Sequence, residues 1–364
     1  MPASPNPRSS VDLDDRDSCL RLDSRGMLDF AIEFPSQLQH AARIGRAFRP
    51  PKNLRGPSQI VLSGMGGSAV SGDFIARLCE SHLPVPFLVN RDYRIPRFVG
   101  PETLFIASSH SGNTEETLAA TGLALRRGAR LVCITTGGKL RDLALRRHLP
   151  LIQTPSDPPM PPRAALGYSL VPLIFLLASL GLYPAADRQL REALDLAGLL
   201  RDQLRPDVPI ERNRAKQLAL YLHGKIPWVQ GTVGVMSAAA YRWRCQFNEN
   251  GKTLAYSSEY PELNHNEVVG WEIAPGLSRN IAVVVLRDPS ASIRVQARVE
   301  ITQEFIAPKA PVRILDAEGE SPLARLLWTV YFGDFVSLYL AFLNNADPAE
   351  MHAIEELKSR LATR

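Results

Sequence analysis

Gln59-Ile60-Val61-Leu62-Ser63-Gly64-Met65-Gly66-Gly67-Ser68-Ala69 decides the fold. Its first half is an apolar run of the kind buried on both faces of a sheet, and residues 69–80 that follow carry helical spacing. A strand that passes through glycines straight into a helix is the opening of a βαβ unit. Outward from it, residues 84–90 read as a second strand, 103–109 as a third, 113–127 as a helix, 129–136 as a strand and 139–147 as a helix. Strand and helix in turn predict an α/β fold, a mainly parallel sheet flanked by its own crossover helices.

The rhythm stops and then resumes. Residues 154–162 hold five prolines and read as a rigid loop ahead of an apolar helix over 166–182. Residues 186–222 are Leu-rich and helical with no strand candidate. Strands are then expected at 226–233, 281–286 and 312–316, with helices at 293–305 and 323–343. Val61-Leu62-Ser63-Gly64 and Trp228-Val229-Gln230-Gly231 share a strand-then-glycine opening, which points to a tandem pair of α/β domains. The expected division is a flexible, acidic tail over 1–26, a first domain over 27–185, a helical connection over 186–222 and a second domain over 223–364.

Composition narrows the class. The 364 residues exceed one typical domain, and 45% apolar with 22% charged content excludes disorder as the dominant state. Cys19, Cys79, Cys133 and Cys245 are far apart, form no CxxC pair and follow no signal-like start, so they read as reduced thiols of a cytoplasmic protein, with Cys133 in a core strand. The apolar stretch 166–182 contains Tyr168, two serines and Pro172 and falls short of the roughly 20 residues that span a bilayer, so no membrane association is expected. The formal charge of +5 is spread in pairs such as Arg126-Arg127 and Arg146-Arg147, which suits a small anionic ligand and gives nucleic acid no basic block. Trp328, Tyr331, Phe332, Phe335 and Tyr339 recur at helical spacing and read as core or dimer interface rather than a base-stacking platform.

Open parallel sheets bind ligands outside the carboxyl ends of their strands, where helix N-termini aim unbonded N–H groups into the crevice. In the first turn, Gly66 and Gly67 let the backbone approach an anion and Ser68 adds a hydroxyl at the helix start. The second, Ser109-His110-Ser111-Gly112-Asn113-Thr114, gathers three hydroxyls and a glycine at the next strand's end. The first turn also fits GxGxxA, the dinucleotide fingerprint, but Asp92 lies beyond the ribose-binding spacing and a hydroxyl-rich second loop suits a terminal phosphate better. No Gly-Lys-Ser/Thr follows, which excludes a P-loop. Either turn alone is also what ordinary turns and N-caps are made of; the pair is what points to phosphate.

The two loops in this order resemble the sugar isomerase (SIS) domain. Pro161-Pro162-Arg163-Ala164-Ala165-Leu166-Gly167-Tyr168, Asn248-Glu249-Asn250-Gly251-Lys252, Pro261-Glu262-Leu263-Asn264-His265-Asn266-Glu267 and Leu357-Lys358 extend the resemblance, from about Met27 to Lys358, to the bifunctional phosphoglucose/phosphomannose isomerase family. The resemblance implies two tandem SIS-type domains in a homodimer that interconverts glucose 6-phosphate and fructose 6-phosphate, with mannose 6-phosphate as a second substrate. By motif, Gly66, Gly67, Ser68, Ser109, Ser111 and Thr114 would hold the sugar phosphate. Glu249 would be the base, His265 the ring-opening group, Arg163 the electrostatic partner of the intermediate and Lys358 a further sugar contact. Two places depart from the family: His110 stands where a tyrosine is frequent, and residues 344–358 contain no threonine, where characterised relatives carry one linked to accepting mannose 6-phosphate.

The chemistry has its own logic. Moving a carbonyl between C1 and C2 needs one carboxylate that takes the C2 proton and returns it at C1 through a cis-enediolate, and its pKa works best raised from ~4.3 toward neutrality. Glu249, at a helix end between Asn248 and Asn250, offers that carboxylate, although a helix-end glutamate is commonly just solvated. Ring opening suits an imidazole, and His265 sits in a polar loop where simple exposure is the plain alternative. Arg163 is expected to open an apolar helix, where the helix dipole gives a cation no reason to be; an enediolate does. Lys358, late in the last helix, also suits a helix C-terminus without further role. No HExxH motif or ligand-spaced His/Cys cluster occurs, and Glu262, His265 and Glu267 have no second histidine nearby, so neither a metal nor any other cofactor is expected and zinc-dependent phosphomannose isomerase is disfavoured. Two rivals remain in view: a non-catalytic phosphosugar-binding regulator, for which no helix-turn-helix is evident, and an amino-sugar synthase, for which Pro2 rather than a nucleophile follows Met1.

Overall fold

The computed structural model describes residues 11–272 and 276–363. Two short helices, α1 (Arg16–Leu22) and α2 (Met27–Ile32), precede α3 (Phe34–Ala47). There follow β1 (Gln59–Ser63), α4 (Gly66–Cys79), β2 (Phe87–Asn90), β3 (Thr103–Ser108), α5 (Glu115–Arg126), β4 (Arg130–Thr135), α6 (Gly138–Arg146) and β5 (Leu151–Gln153). Helices α7 (Leu166–Ser179), α8 (Ala186–Leu204) and α9 (Arg214–Leu222) come next. A second alternation runs β6 (Ile226–Thr232), α10 (Val235–Glu249), β7 (Tyr256–Tyr260), α11 (Glu267–Gly270), β8 (Ile281–Arg287), α12 (Ile293–Ile306) and β9 (Val312–Asp316). Helices α13 (Pro322–Leu343) and α14 (His352–Ala362) end the chain.

These elements form two compact units, one of residues 33–196 with 319–326, the other of the described residues up to Ile32 with 197–318 and 327 onward. The first holds a five-stranded sheet ordered β2-β1-β3-β4-β5, the second a four-stranded sheet ordered β7-β6-β8-β9. Every strand pair in both is parallel, as the alternation predicted. The middles of the central strands are apolar because helices cover both faces, and all six residues of β3 are buried. On one face Val61, Phe105, Ala107, Leu131 and Cys133 pack with Ala120 and Ala124 of α5 and Leu140 and Ala144 of α6. On the other, Gly72 of α4 brings that helix close to Leu62 and Val89; a Cβ there would lie 2.9 Å from the Val89 side chain. In the second unit Val283 and Val285 of β8 pack with Val295, Val299 and Ile306 of α12.

Three findings adjust the sequence reading. The tail expected over 1–26 falls partly on residues 1–10, outside the described residues, but 11–26 are folded: Leu13 and Cys19 are buried, and the Asp14 carboxylate is 2.8 Å from Nζ of the fully buried Lys216. An acidic start is therefore tied down by an ion pair and two apolar anchors. Arg163 does not open a helix, because α7 begins at Leu166 and Arg163 lies in the turn before it. Strands β5 and β7 stand where the sequence pattern marks none. Helix α13 is long and apolar enough to cross a membrane, yet 94% of its apolar window is buried, with Trp328, Tyr331, Phe332, Phe335 and Tyr339 among the core residues.

Candidate active site

In the order β2-β1-β3-β4-β5, successive crossovers leave β1 in opposite directions, so the carboxyl ends of β1 and β3 flank the point where winding reverses, the place where such sheets open a crevice. Both hydroxyl and glycine loops lie there. After β1, Gly64 gives its N–H to Asn90 O (3.2 Å) and passes so near Ser108 O that a Cβ would lie 3.0 Å from it. Met65 is the extended N-cap of α4 and makes no side-chain cap bond. Gly66 (φ +51°) and Gly67 form the first turn, Gly67 against Pro162 O, with Ser68 buried behind them.

The second loop is built almost wholly from its own polar groups. Ser109, buried, shares a hydrogen bond with Thr114 Oγ1 (2.8 Å) and accepts one from Gly112 N (3.1 Å). Ser111, exposed, accepts from Asn113 N (3.2 Å). Thr114 is the N-cap of α5 but makes no side-chain cap bond, so its hydroxyl is turned to the loop rather than to the helix. The β4–α6 turn pins the loop from outside: Leu140 N donates to Gly112 O (2.9 Å) and Thr136 N to His110 O (3.1 Å).

Arg163, 5% exposed, stands in the turn that faces Gly67: a Cβ on Gly67 would lie 3.8 Å from the Arg163 Cα. The structure therefore brings Gly66, Gly67, Ser68, Ser109, Ser111, Thr114 and Arg163 together in one unit. Gln37 of α3, missed in the sequence, organises that turn. Its Nε2 donates to Ala164 O (2.9 Å) and its Oε1 accepts from Gly167 N (2.7 Å), in a site so tight that a Cβ on Gly167 would collide with it. The signal was a glutamine within the apolar stripe Phe34, Leu38, Ala41 and Gly45. His110 turns away from the loop it belongs to and meets Met160 O through Nε2 (3.1 Å), and burial pushes its pKa below the usual histidine value.

The remaining three candidates belong to the other unit, on separate elements. Glu249 is the last residue of α10 and half-buried. A polar ladder fixes this helix against α13: Arg242 reaches both Asp334 oxygens (2.9 and 3.0 Å), Gln246 reaches Asp334 Oδ1 (2.8 Å) and Asn250 reaches Ser337 Oγ (2.9 Å). His265, exposed, ends a single 3-10 turn after β7 whose Asn264 bonds Thr302 Oγ1 (2.6 Å). Two residues on, burial raises the pKa of Glu267. Lys358 is exposed on α14. Among the described residues no three His, Cys, Asp or Glu side chains form a metal-ligating group.

Residues 53–152 match the family model of the SIS domain, and 211–361 that of the bacterial phospho-glucose isomerase C-terminal SIS domain. With two parallel sheets of this winding, they define a tandem SIS-domain protein. A bifunctional phosphoglucose/phosphomannose isomerase of Caldicellulosiruptor bescii is 40% identical over 92% of this chain and 99% of its own, and one of Thermoplasma acidophilum is 36% identical over 84% and 90%. The chain belongs to the bifunctional phosphoglucose/phosphomannose isomerase family. The fold is shared with a crystal structure of a hypothetical protein from Thermus thermophilus, 19% identical, at a TM-score of 0.73 over 96% of this chain and 94% of that one.

Proposed function

We propose that this chain is an aldose–ketose isomerase that interconverts glucose 6-phosphate, fructose 6-phosphate and mannose 6-phosphate by proton transfer through a cis-enediolate. The reading is carried by near full-length identity of 40% to a bifunctional isomerase. A non-catalytic regulator is not favoured beside relatives named as enzymes.

The roles are those the motif resemblance implies, and the local geometry of the two loops and of the Arg163 turn supports them. Gly66, Gly67 and Ser68, with Ser109, Ser111 and Thr114, seat the 6-phosphate on backbone N–H groups and hydroxyls; the neutral hydroxyls and the N-terminus of α4 favour the anion. His265 opens the pyranose: it passes a proton to the ring oxygen, the bond from C1 to that oxygen breaks, and the anomeric hydroxyl gives up its proton as the C1 carbonyl forms. Glu249 then takes the C2 proton, the C1–C2 double bond forms, and the same carboxyl returns the proton at C1 while the hydroxyl proton moves from O2 to O1. Arg163, fixed by its buried turn, stabilises the negative charge that builds on the enediolate oxygens, and Lys358 contacts the sugar. Assembly as a homodimer is supported by exposed Ile293, Ile301 and Phe305 on α12, and a cytoplasmic setting by four free cysteines, of which Cys133 has its thiol pushed up to about 12 by burial.

A coupled assay with glucose 6-phosphate, mannose 6-phosphate and glucosamine 6-phosphate tests the activity, and Glu249→Gln tests the base. The substitution keeps shape and loses the proton acceptor, so turnover falls by at least about 10²-fold with phosphosugar inhibitors still bound. Near-normal turnover would sink the assignment of Glu249.

A further inference from the structure

The turn carrying Arg163 is gripped from two sides. From α3, the 5%-exposed Gln37 binds Ala164 O and Gly167 N and also lies 3.3 Å from Met160 Sδ. From the phosphate loop, His110 binds Met160 O (3.1 Å). A carbonyl oxygen only accepts, so Nε2 is the donor. Burial lowers the His110 pKa, and the Nε2 N–H is committed to this bond. His110 is also continuous with the loop's own polar ring: its neighbour Ser109 holds Thr114 and Gly112, and its carbonyl accepts from Thr136 N and from Thr136 Oγ1 (2.7 Å).

We propose that His110 is a positioning residue that couples phosphate binding to the placement of Arg163. A phosphate that orders residues 109–114 holds the His110 backbone, His110 holds Met160, and Met160 begins the turn that runs to Gly167. Binding energy from the non-reacting end of the sugar is thereby converted into a fixed guanidinium at the reacting end, so its loss shows in turnover more than in affinity. The proposal deepens the function above and rests on reading Arg163 as the partner of the enediolate. Its structural rival is that His110 merely fills space.

Two substitutions separate these. His110→Leu keeps bulk without a donor; His110→Gln places an amide N–H near the reach of Nε2. In His110→Leu, kcat falls about 5- to 10-fold, the scale of one lost hydrogen bond, and KM moves less than about twofold, while His110→Gln recovers most of kcat. The second readout is independent of catalysis. Inorganic phosphate slows amide hydrogen exchange at Ala164, Ala165 and Gly167 in the parent and in His110→Gln, and not in His110→Leu. Phosphate protection of these amides that survives in His110→Leu, or is absent from the parent, overturns the coupling, as does a His110→Gln as slow as His110→Leu. Arg163→Gln with undiminished turnover would overturn the role of Arg163 alone, because the exchange experiment reads the coupling without it.

Discussion

Gly112→Ala is the sharpest probe of the second loop. Gly112 has φ +69°, and a Cβ built on it would lie 1.8 Å from Gly137 O, so the methyl cannot be accommodated without moving backbone. Restoring an ordinary contact takes a displacement of about 1.5 Å. The left-handed conformation itself costs roughly 1–2 kcal/mol for alanine. The shift also strains Gly112 N to Ser109 Oγ and Leu140 N to Gly112 O, worth about 1 kcal/mol each. A loss of about 3–4 kcal/mol is expected. Gly56→Ala is the control: φ is +62° with nothing within 4 Å, so only the conformational cost remains, about 1–2 kcal/mol. The functional consequence is larger. Moving Ser111 and Thr114 beyond hydrogen-bond reach of a bound phosphate removes two charge-assisted bonds of about 1.5–3 kcal/mol each, so inhibition by inorganic phosphate weakens at least about 10²-fold. Thermal unfolding and competitive inhibition against glucose 6-phosphate read the two effects separately. A folded Gly112→Ala protein with the parent's phosphate inhibition constant would refute the placement of the phosphate in this loop.

Other outcomes follow from the same geometry. Asp334→Ala deprives Arg242, 2% exposed, of its carboxylate and should cost about 3–5 kcal/mol in urea unfolding, whereas Arg242→Met with Asp334→Leu should recover most of it; equal losses would mean that packing, not the ion pair, is at stake. Because burial lowers the folded-state pKa of His110 beneath its unfolded value, its contribution is complete above the ordinary histidine pKa and lost as pH falls through the folded one. The thermal midpoint should therefore drop more between about pH 7 and about pH 5 in the parent than in His110→Gln, and parallel curves would count against a lowered His110 pKa. His265→Ala should cripple turnover of cyclic glucose 6-phosphate while a locked acyclic analogue still exchanges its C2 proton with deuterated solvent; equal loss in both would place His265 in the proton transfer itself.

Much of the fold could be read from the chain because central parallel strands are apolar on both faces. β1, β3, β4, β6 and β8 all announced themselves. The two unread strands are sheet edges: β7 reads Tyr-Ser-Ser-Glu-Tyr, with only its last residue fully buried, and β5 has three residues. The other two edges, β2 and β9, were legible from their apolar residues, whereas β5 is too short and β7 too polar to show a strand pattern. The site divides in the same way. Glycine and hydroxyl runs at strand ends are local signals and named the loops. Gln37 lies 126 positions before Arg163 in sequence, and Gly167 and Met160 give no hint that α3 will reach them. The folded start at 11–26 was hidden for a related reason: an acidic segment looks solvated until its cation, Lys216, is brought to it by the fold.

The two sheets share a winding but not a chemistry. Each places its first strand between the second and third, and each follows that strand with a glycine of positive φ at a helix start, Gly66 after β1 and Gly234 (φ +97°) after β6. They diverge just beyond the next strand. After β3 stands Ser109, neutral and bonded to Thr114; after β8 stands Asp288, whose Oδ1 accepts from Ser290 N (2.8 Å) and Ser290 Oγ (2.7 Å), and whose own N–H is taken by Thr232 Oγ1 (3.0 Å). Ser292 in turn caps α12 through Val295 N (3.3 Å), whereas the Thr114 side chain makes no cap bond to its helix. A carboxylate thus stands at the β8 end, and at about 4 Å two like charges repel by about 4 kcal/mol even in a polar protein setting. The two sheets thus differ at the end of the strand beyond the first, a hydroxyl after β3 and a carboxylate after β8, and that difference supports seating the proposed phosphate in the first unit rather than the second.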